Sequence, residues 1–381
     1  MRIYLVIIAT LFLFLPFSLK ANDTAATIGA GGIINYEKSN DISMDYEVLK
    51  ISTQKINITY DFTNHSSNDI TTKVAFPLPP SPLVIGDTSN VFTSWDDLYQ
   101  AYTFLDEAKK SINKLDYAPS TLLEKVKGNP FTDFTRTVNG TEGSYRFVAH
   151  AIDPSGKDIT NFLIKNNIPL SSAYLGGLME EGAIHNNPAL KEKLSKLGLI
   201  NEQGHVLWQL QISYIWDEIF PANKTIRINH SYTPRVGYHW VSGKNPESLN
   251  DITFTHRDYI AGKMEQKKLA DFCIADSDKT KILEMFDKDN AIHNNAYIAN
   301  DDVITYRTRE VRYILSTGAN WKGPIKKFRL EIIPPTPTSI VSSCIEGGLK
   351  KTKEGTYVSE IENFTPKSDL KILFIDPVNL E

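Results

Sequence analysis

The chain has 381 residues, of which 41% are hydrophobic and 23% are charged, and its formal net charge at pH 7 is −4. This length and composition suit a globular protein of about two or three domains with a substantial core. The mild acidity excludes the basic surface typical of nucleic-acid-binding proteins, and it gives an anionic membrane surface nothing to attract.

The first 21 residues predict a secretory signal peptide. One early basic residue precedes an apolar run from Ile3 to Phe17, which is shorter than the about 20 residues that a membrane span needs. A short polar segment then ends in Ala21, so we expect cleavage between Ala21 and Asn22 and an exported chain, either periplasmic or secreted. The alternative is an uncleaved N-terminal anchor. Cleavage would remove two basic and no acidic residues, which changes the net charge to −6.

Residues 22–240 predict a first β-sandwich-like domain. Apolar and polar residues alternate along Ile56–Phe62, which is the pattern of a strand with one buried face. Similar patterns predict strands at about 42–50, 54–63, 69–76, 205–216 and 224–233. Prolines that cannot donate ladder hydrogen bonds end the third of these strands. We expect the last two to rejoin the same sheet.

The stretch between those strands, at about 83–200, is predicted to be a mostly helical insertion. Apolar residues at steps of three and four predict a helix over 94–117. Two shorter helices are expected, one capped by Asp158 and one that begins after the N-cap Asn187. A hairpin is expected around Asn139-Gly140, formed by residues 134–138 and 144–152.

Residues 241–381 predict a second antiparallel β-sandwich domain, because alternating segments and turn signals recur there. The overall class is therefore mainly β, or α+β with the insertion included. This part contains both cysteines of the chain, Cys273 and Cys344. Two cysteines in an exported protein usually pair, so we predict a disulfide. The alternative is a free thiol, although neither cysteine has the basic or histidine neighbours of an activated one.

The motif NWKGPI contains Trp321, Gly323 and Pro324. A tryptophan before a turn can serve as an exposed platform for a carbohydrate or protein partner. The other interpretation, which the Gly-Pro turn favours, is that the ring folds back under the following strand.

Several short motifs occur together and in order: NDTAA, ISMDYEVLKIS, VAFPLP, FPANKTIRINHSYTPRVG, FCIAD, NWKGPIKKFRLEI, SSC and NFTPKSDLKIL. This set resembles the bacterial family called domain of unknown function 4424 over nearly the whole mature chain. The resemblance implies an exported bacterial protein. It implies no established activity, so no catalytic residue is transferred from it.

The chain lacks the motifs of serine nucleophiles, zinc peptidases and phosphate loops. No catalytic residue, metal site or cofactor is therefore predicted. The densest group of side chains that could support catalysis contains His230, His239 and Asp258, and it defines an alternative function as an envelope-acting hydrolase. Asp217 and Glu218 are adjacent on a predicted strand, so their side chains diverge and form a poor acid–base pair.

The first functional hypothesis is a non-catalytic binding or envelope-associated protein. Its partner would be an unknown protein or glycan of the cell envelope, met at the insertion, because inserted elements often carry function on a rigid scaffold. A third hypothesis is a structural subunit of a surface assembly, in which residues 22–34 take part in strand addition. The oligomeric state is left open.

Overall fold

A computed structural model describes the chain over residues 22–28, 34–80, 133–166, 168, 187–202, 204, 206–234, 236–242, 253–257, 264–268, 272–284 and 306–377. In these residues the protein is mainly β, with several antiparallel sheets. The predicted leader, the predicted helix at 94–117 and Asp258 lie outside the described residues.

The described strands, numbered in chain order, are β1 (Thr24–Ile28), β2 (Ile34–Tyr36), β3 (Ile42–Ile51), β4 (Ile56–Asn64), β5 (Ile70–Pro77), β6 (Thr135–Val138), β7 (Thr141–Glu142), β8 (Arg146–Ile152), β9 (Gln209–Phe220), β10 (Thr225–Tyr232), β11 (Val236–Ser242), β12 (Thr253–Arg257), β13 (Met264–Lys268), β14 (Tyr306–Tyr313), β15 (Ile325–Ile332), β16 (Ile340–Ser343), β17 (Lys350–Lys351), β18 (Tyr357–Phe364) and β19 (Leu370–Pro377). The helices are α1 (Thr160–Lys165), α2 (Pro188–Lys196), a further α-helical stretch over 276–284 and a 3₁₀ helix at Ser316–Asn320.

These strands form a five-stranded, an eight-stranded and a six-stranded sheet. The five-stranded sheet has the order β2-β1-β5-β9-β8, and the eight-stranded sheet has the order β17-β18-β15-β3-β4-β10-β6-β7. The six-stranded sheet has the order β13-β12-β11-β14-β19-β16. β9 pairs with β5 and β10 pairs with β4, so these late strands return to the early ones, although to two different sheets and not to one.

The alternation along β4 matches its burial. Ile56, Ile58, Tyr60 and Phe62 are all buried, whereas the residues between them are partly or fully accessible. These four side chains belong to the main hydrophobic core. The period-two pattern in the sequence therefore identified the core face of this strand.

Strands from both sides of residue 240, the predicted domain division, share the eight-stranded sheet. That position lies inside β11, and β15 pairs in parallel with β3 within the eight-stranded sheet. One main core also includes residues from both halves of the chain. Alternation indicates which face of a strand is buried, but it does not identify the partner strand, so this arrangement could not be derived from the pattern.

The hairpin expected around Asn139-Gly140 is present but shorter than predicted. Asn139 and Gly140 have φ values of 49° and 83°, and they connect β6 to β7. Positive φ at both central residues is the requirement of a type I′ turn. β8, which was expected to complete this hairpin, instead pairs with β9 at the edge of the five-stranded sheet.

The helices α1 and α2 differ in how they begin. Asn187 caps α2 by accepting a hydrogen bond from the backbone N–H of Leu190 at 3.0 Å, as predicted. α1 starts one residue later than expected, with Ile159 as its N-cap. Asp158 accepts from the backbone N–H of Thr160 at 2.8 Å, and this leaves its second carboxylate oxygen free for another partner.

The two cysteines lie at disulfide distance, with their Cα atoms 5.2 Å apart. Close by is a small second core of buried apolar residues, consisting of Phe272, Ile274, Ile282, Ile340, Leu373 and Ile375. No helix of the described chain is both long and apolar enough to span a membrane.

Candidate functional site

The candidate site is a group of polar side chains on the five-stranded sheet. We call it the outer cluster, and its members are Tyr36, His150, Asp158, Gln211 and Ser213. β9 sends Ile212, Tyr214 and Trp216 into the main core. Since side chains alternate along a strand, Gln211 and Ser213 lie on the opposite face. Apolar side chains of that face, including Ala75 and Ile215, form a separate small cluster.

The strand register brings His150 next to Ser213. In the antiparallel pair β8–β9, His150 lies opposite Gln211 and Val148 lies opposite Ser213. His150 and Ser213 are therefore diagonal neighbours on one face, which is within reach of a long side chain. Gln211 is already engaged, because its amide donates to the backbone carbonyl of Leu78 at 3.0 Å.

Asp158 orients the ring of His150. The backbone at Asp158 bridges to Ile152 at the edge of β8, and this places the carboxylate beside the ring. The Nδ1–H of His150 donates to Asp158 at 2.9 Å. Burial acts to raise the pKa of Asp158, but hydrogen bonds and charge attraction from His150, together with hydrogen bonds from Thr160, lower it overall. Asp158 therefore stays an acceptor near neutral pH, and the proton of the ring stays on Nδ1.

Two polar atoms of the outer cluster are buried without a hydrogen-bond partner among the described residues. They are the Nε2 of His150 and the Oγ of Ser213. His150 is 5% exposed and Ser213 is 0% exposed, whereas the side chain of Asp158 is 27% exposed. Buried polar groups in native proteins almost always have partners, so such atoms call for a bound water, ion or ligand.

Tyr36 extends the outer cluster from the opposite edge of the sheet. Burial is the main cause that raises the pKa of its hydroxyl far above the usual range, with the charge of Asp158 adding to the rise. A hydrogen-bonding contribution from the hydroxyl of Ser213 acts in the other direction, although no described atom lies at ordinary hydrogen-bond distance and geometry from the Ser213 Oγ. Tyr36 is therefore close to Ser213, and it keeps its proton and can act as a donor.

His230 lies in a different place from the outer cluster. It belongs to a group of buried polar side chains that we call the interior network, which consists of Asn22, Asp23, Glu47, Tyr60, His230, Tyr313 and Trp321. The Nε2–H of His230 donates to the two carboxylate oxygens of Asp23 at 3.0 and 3.1 Å. Both side chains are fully buried, so neither can contact a substrate.

The other members of the predicted alternative site are described only in part. His239 lies in β11, where it pairs with Thr308 of β14. Asp258 is outside the described residues. Among the described residues, no group of three or more His, Cys, Asp or Glu side chains is arranged to hold a metal ion. His230 would have to leave the core to take part in the predicted hydrolase site.

Trp321 is buried against the interior network and does not form an exposed surface platform. Its side chain is buried, and its indole N–H donates to the backbone carbonyl of Asp23 at 2.6 Å. Its ring centroid lies 4.7 Å from that of Phe62. Gly323 has a φ of 74° and Pro324 directly precedes β15, so this turn directs the chain into the strand beneath which the ring is packed.

Asp217 and Glu218 lie on opposite faces of β9, as predicted. Asp217 accepts a hydrogen bond from Lys73 at 2.6 Å on the accessible face. Glu218 is buried and accepts from Arg136 and from the indole N–H of Trp216. The two carboxylates cannot act together on one substrate.

Sequence reasoning missed the outer cluster. Its residues come from β2, β8, β9 and the segment before α1, and no two of them form a recognisable spacing motif. The available signal was that β9 has apolar residues on its core face and Gln211 and Ser213 between them. A strand that is buried on both faces yet polar on one of them indicates a site for polar contacts.

These features define a mainly β protein of several sheets, with an enclosed polar network and a partly unsatisfied polar cluster on one sheet face. The chain belongs to the family described as Domain of unknown function (DUF4424), whose model matches residues 21–105 and 112–373.

Among solved structures, one similar chain is from Legionella pneumophila subsp. pneumophila str. Philadelphia 1 and is described as a "putative nutrient binding protein". It is 15% identical, with a TM-score of 0.39 over 93% of this chain and 70% of that chain. A likeness at this level does not establish a shared function. No curated protein matches the chain.

Proposed function

We propose that this protein is an exported, non-catalytic binding protein of the bacterial cell envelope, and that the outer cluster holds a small anionic group of its ligand. The ligand-bearing partner would be a protein or a glycan of the envelope. The observation that carries the proposal is the pair of buried, unpartnered polar atoms on His150 and Ser213.

The chemistry of the outer cluster favours a carboxylate or another oxyanion. Asp158 accepts from the Nδ1–H of His150, so a protonated ring presents its Nε2–H as a second donor. The hydroxyls of Ser213 and Tyr36 can add two further donors. An oxyanion offers several acceptor lone pairs to such a set, and hydrogen bonds to a charged group are the stronger ones.

Three features support export as part of the proposal. The N-terminal segment has the pattern of a cleavable leader, the two cysteines lie at disulfide distance, and disulfides persist mainly in oxidising compartments. The cluster combines residues of the predicted insertion, His150 and Asp158, with residues of the sheet. This is where the sequence led us to expect a ligand.

The binding proposal is tested with acetate, inorganic phosphate and the neutral disaccharide maltose, by titration calorimetry on the purified mature chain. We expect saturable binding of an anion and none of maltose. Ser213→Ala removes one donor and should weaken binding about tenfold. Ser343→Ala is the matched control, because Ser343 is also a buried serine whose Oγ lacks a partner but lies in β16.

Absence of saturable binding, or equal binding by the chain with Ser213→Ala, would show that the outer cluster holds only water. Point variants are preferable to deletion of the insertion. Removing residues 90–200 would also remove β8, which forms the edge of the five-stranded sheet and supplies Ala151 to the core.

A second candidate function is hydrolysis, because Asp158, His150 and Ser213 follow the order carboxylate, imidazole, hydroxyl. This arrangement would replace the predicted site at His230, His239 and Asp258. A fluorophosphonate probe separates the two functions. Labelling of Ser213 that is lost with His150→Gln would favour the enzyme, whereas an unlabelled chain that binds anions would favour the binding protein.

A further inference from the structure

The residues directly after the predicted cleavage point are enclosed in the protein. Asn22, Asp23 and Thr24 are each 0% exposed. The backbone N–H of Asp23 donates to the side-chain oxygen of Asn22 at 3.0 Å, and Asn320 donates to the hydroxyl of Thr24 at 2.9 Å. The first residues of a domain are usually poorly ordered unless they are tied down, so this segment has a specific structural role.

Asn22 lies against a buried carboxylate. Its side-chain N–H₂ group donates to both oxygens of Glu47, each at 3.1 Å. Tyr60 donates to the side-chain oxygen of Asn22, and the hydroxyls of Tyr60 and Tyr313 are 3.1 Å apart. All of these side chains are fully buried.

The interior network contains more acidic groups than cations. The groups that face Glu47 are Asn22 and Asp23 from the N-terminal segment, Tyr60 from β4 and Tyr313 from β14. The imidazole of His230 is already hydrogen-bonded to Asp23. Within the described chain, Glu47 therefore faces no cationic side chain. A buried carboxylate in this position must either keep a proton or gain a cation.

A cation becomes available if the chain is cut before Asn22. The α-nitrogen and the side-chain nitrogen of one asparagine are only a few bonds apart, which places the α-nitrogen within roughly 7 Å of the Glu47 carboxylate by covalent geometry. In the uncut chain this nitrogen is a neutral peptide group. In the cut chain it is an ammonium with an ordinary pKa of about 8.

We propose that cleavage between Ala21 and Asn22 creates the ammonium group that pairs with Glu47 in the interior, so that leader removal completes the fold. The proposal rests on the predicted export of the chain and not on the outer cluster. A leader peptidase hydrolyses the Ala21–Asn22 bond with one water molecule. The water oxygen leaves with the leader as the Ala21 carboxylate, and both water hydrogens go to the nitrogen, which becomes the ammonium.

The charge state of Glu47 gives the proposal a pH signature. Without a cation, burial raises the pKa of Glu47 to about 8 from an ordinary 4.5, with the Asn22 hydrogen bond opposing and the charge of Asp23 adding to the rise. Such a folded chain keeps a proton that the unfolded chain loses. That proton stabilises the folded chain fully below about pH 4.5. Its stabilising effect declines between about pH 4.5 and pH 8, and over this range the unfolding constant grows about tenfold per pH unit. A chain with the ammonium escapes most of this decline.

The test compares the mature chain, which begins at Asn22, with a chain that carries a Gly-Ser-Gly extension. The extension moves the ammonium by roughly 10 Å. We expect it to raise the unfolding constant about 100-fold at pH 7.5, and far less at pH 5, where Glu47 takes up a proton. Urea unfolding monitored by tryptophan fluorescence measures both values.

Glu47→Gln in both chains separates charge from steric effects. A steric cost of the extension would be the same with Glu47 and with Glu47→Gln, and it would not depend on pH. That result would overturn the proposal, as would a mature N-terminus other than Asn22 in the mass spectrum of the exported protein. Anion binding at the outer cluster is measured separately, so failure of one proposal does not imply failure of the other.

Discussion

The interior network and the outer cluster each combine a histidine with a carboxylate. In both, the second ring nitrogen of the histidine is buried without a hydrogen-bond partner among the described residues, so they differ in what surrounds that nitrogen. In the interior network, His230 and Asp23 are fully buried, and both oxygens of Asp23 accept from the same ring nitrogen. In the outer cluster, His150 has one partnered nitrogen and one buried nitrogen without a partner. Asp158 remains partly exposed there.

The side chains around each histidine explain this difference. The ring of His230 lies among aromatic side chains, with the ring centroids of Phe134 and Phe76 at 5.2 and 5.3 Å. These rings pack around the imidazole, and its hydrogen bonds to Asp23 serve the fold. The unpartnered Nε2 of His150 instead has an unpartnered hydroxyl at a neighbouring position. A histidine–aspartate pair is therefore structural or available for binding according to what faces its second nitrogen.

The largest expected effect is on the interior network. Asp23→Ala leaves the buried ring of His230 without its partner and should lower the free energy of unfolding by about 3–5 kcal/mol. Urea unfolding at pH 7 measures the change. Asp217→Ala is the control, because Asp217 is 61% exposed in its ion pair with Lys73 and should cost less than about 1 kcal/mol. Equal costs would remove the distinction between enclosed and accessible pairs.

A smaller loss of the free energy of unfolding is expected when Trp321, which packs against the interior network, is changed. Trp321→Phe keeps a ring against Phe62 but removes the N–H that donates to the carbonyl of Asp23. An unpaired buried carbonyl costs about 1–3 kcal/mol, which thermal and urea unfolding can detect. A fully stable variant would mean that Trp321 acts through packing alone.

The smallest effect is expected in the outer cluster. Ser213→Ala removes a hydroxyl without a partner, so the free energy of unfolding should change by less than about 0.5 kcal/mol. Ser342→Ala is the matched control, because the hydroxyl of Ser342 donates to the buried carbonyl of Phe272 at 2.5 Å and its loss should cost about 1 kcal/mol. A larger cost for Ser213→Ala than for Ser342→Ala would make the outer cluster structural too.

The sequence by itself determined the local features of the protein. Alternation placed Ile56, Ile58, Tyr60 and Phe62 on the core face of β4, and Asn187 capped α2 where its side chain could reach a free backbone N–H. The opposite directions of Asp217 and Glu218 also followed from the strand period. These properties depend on neighbours in the chain, so the pattern of residue types is enough to predict them.

Tertiary structure alone decided which distant residues meet. The parallel pairing of β3 with β15, the approach of Asn22 to Glu47 and the diagonal placement of His150 and Ser213 join segments that are far apart or related only by register. Backbone hydrogen bonds are the same for every pair of strands, so the sequence period cannot select the partner. That choice depends on how the whole core packs, and it places His230 among the aromatic rings of the core and the outer cluster on the other face of β9.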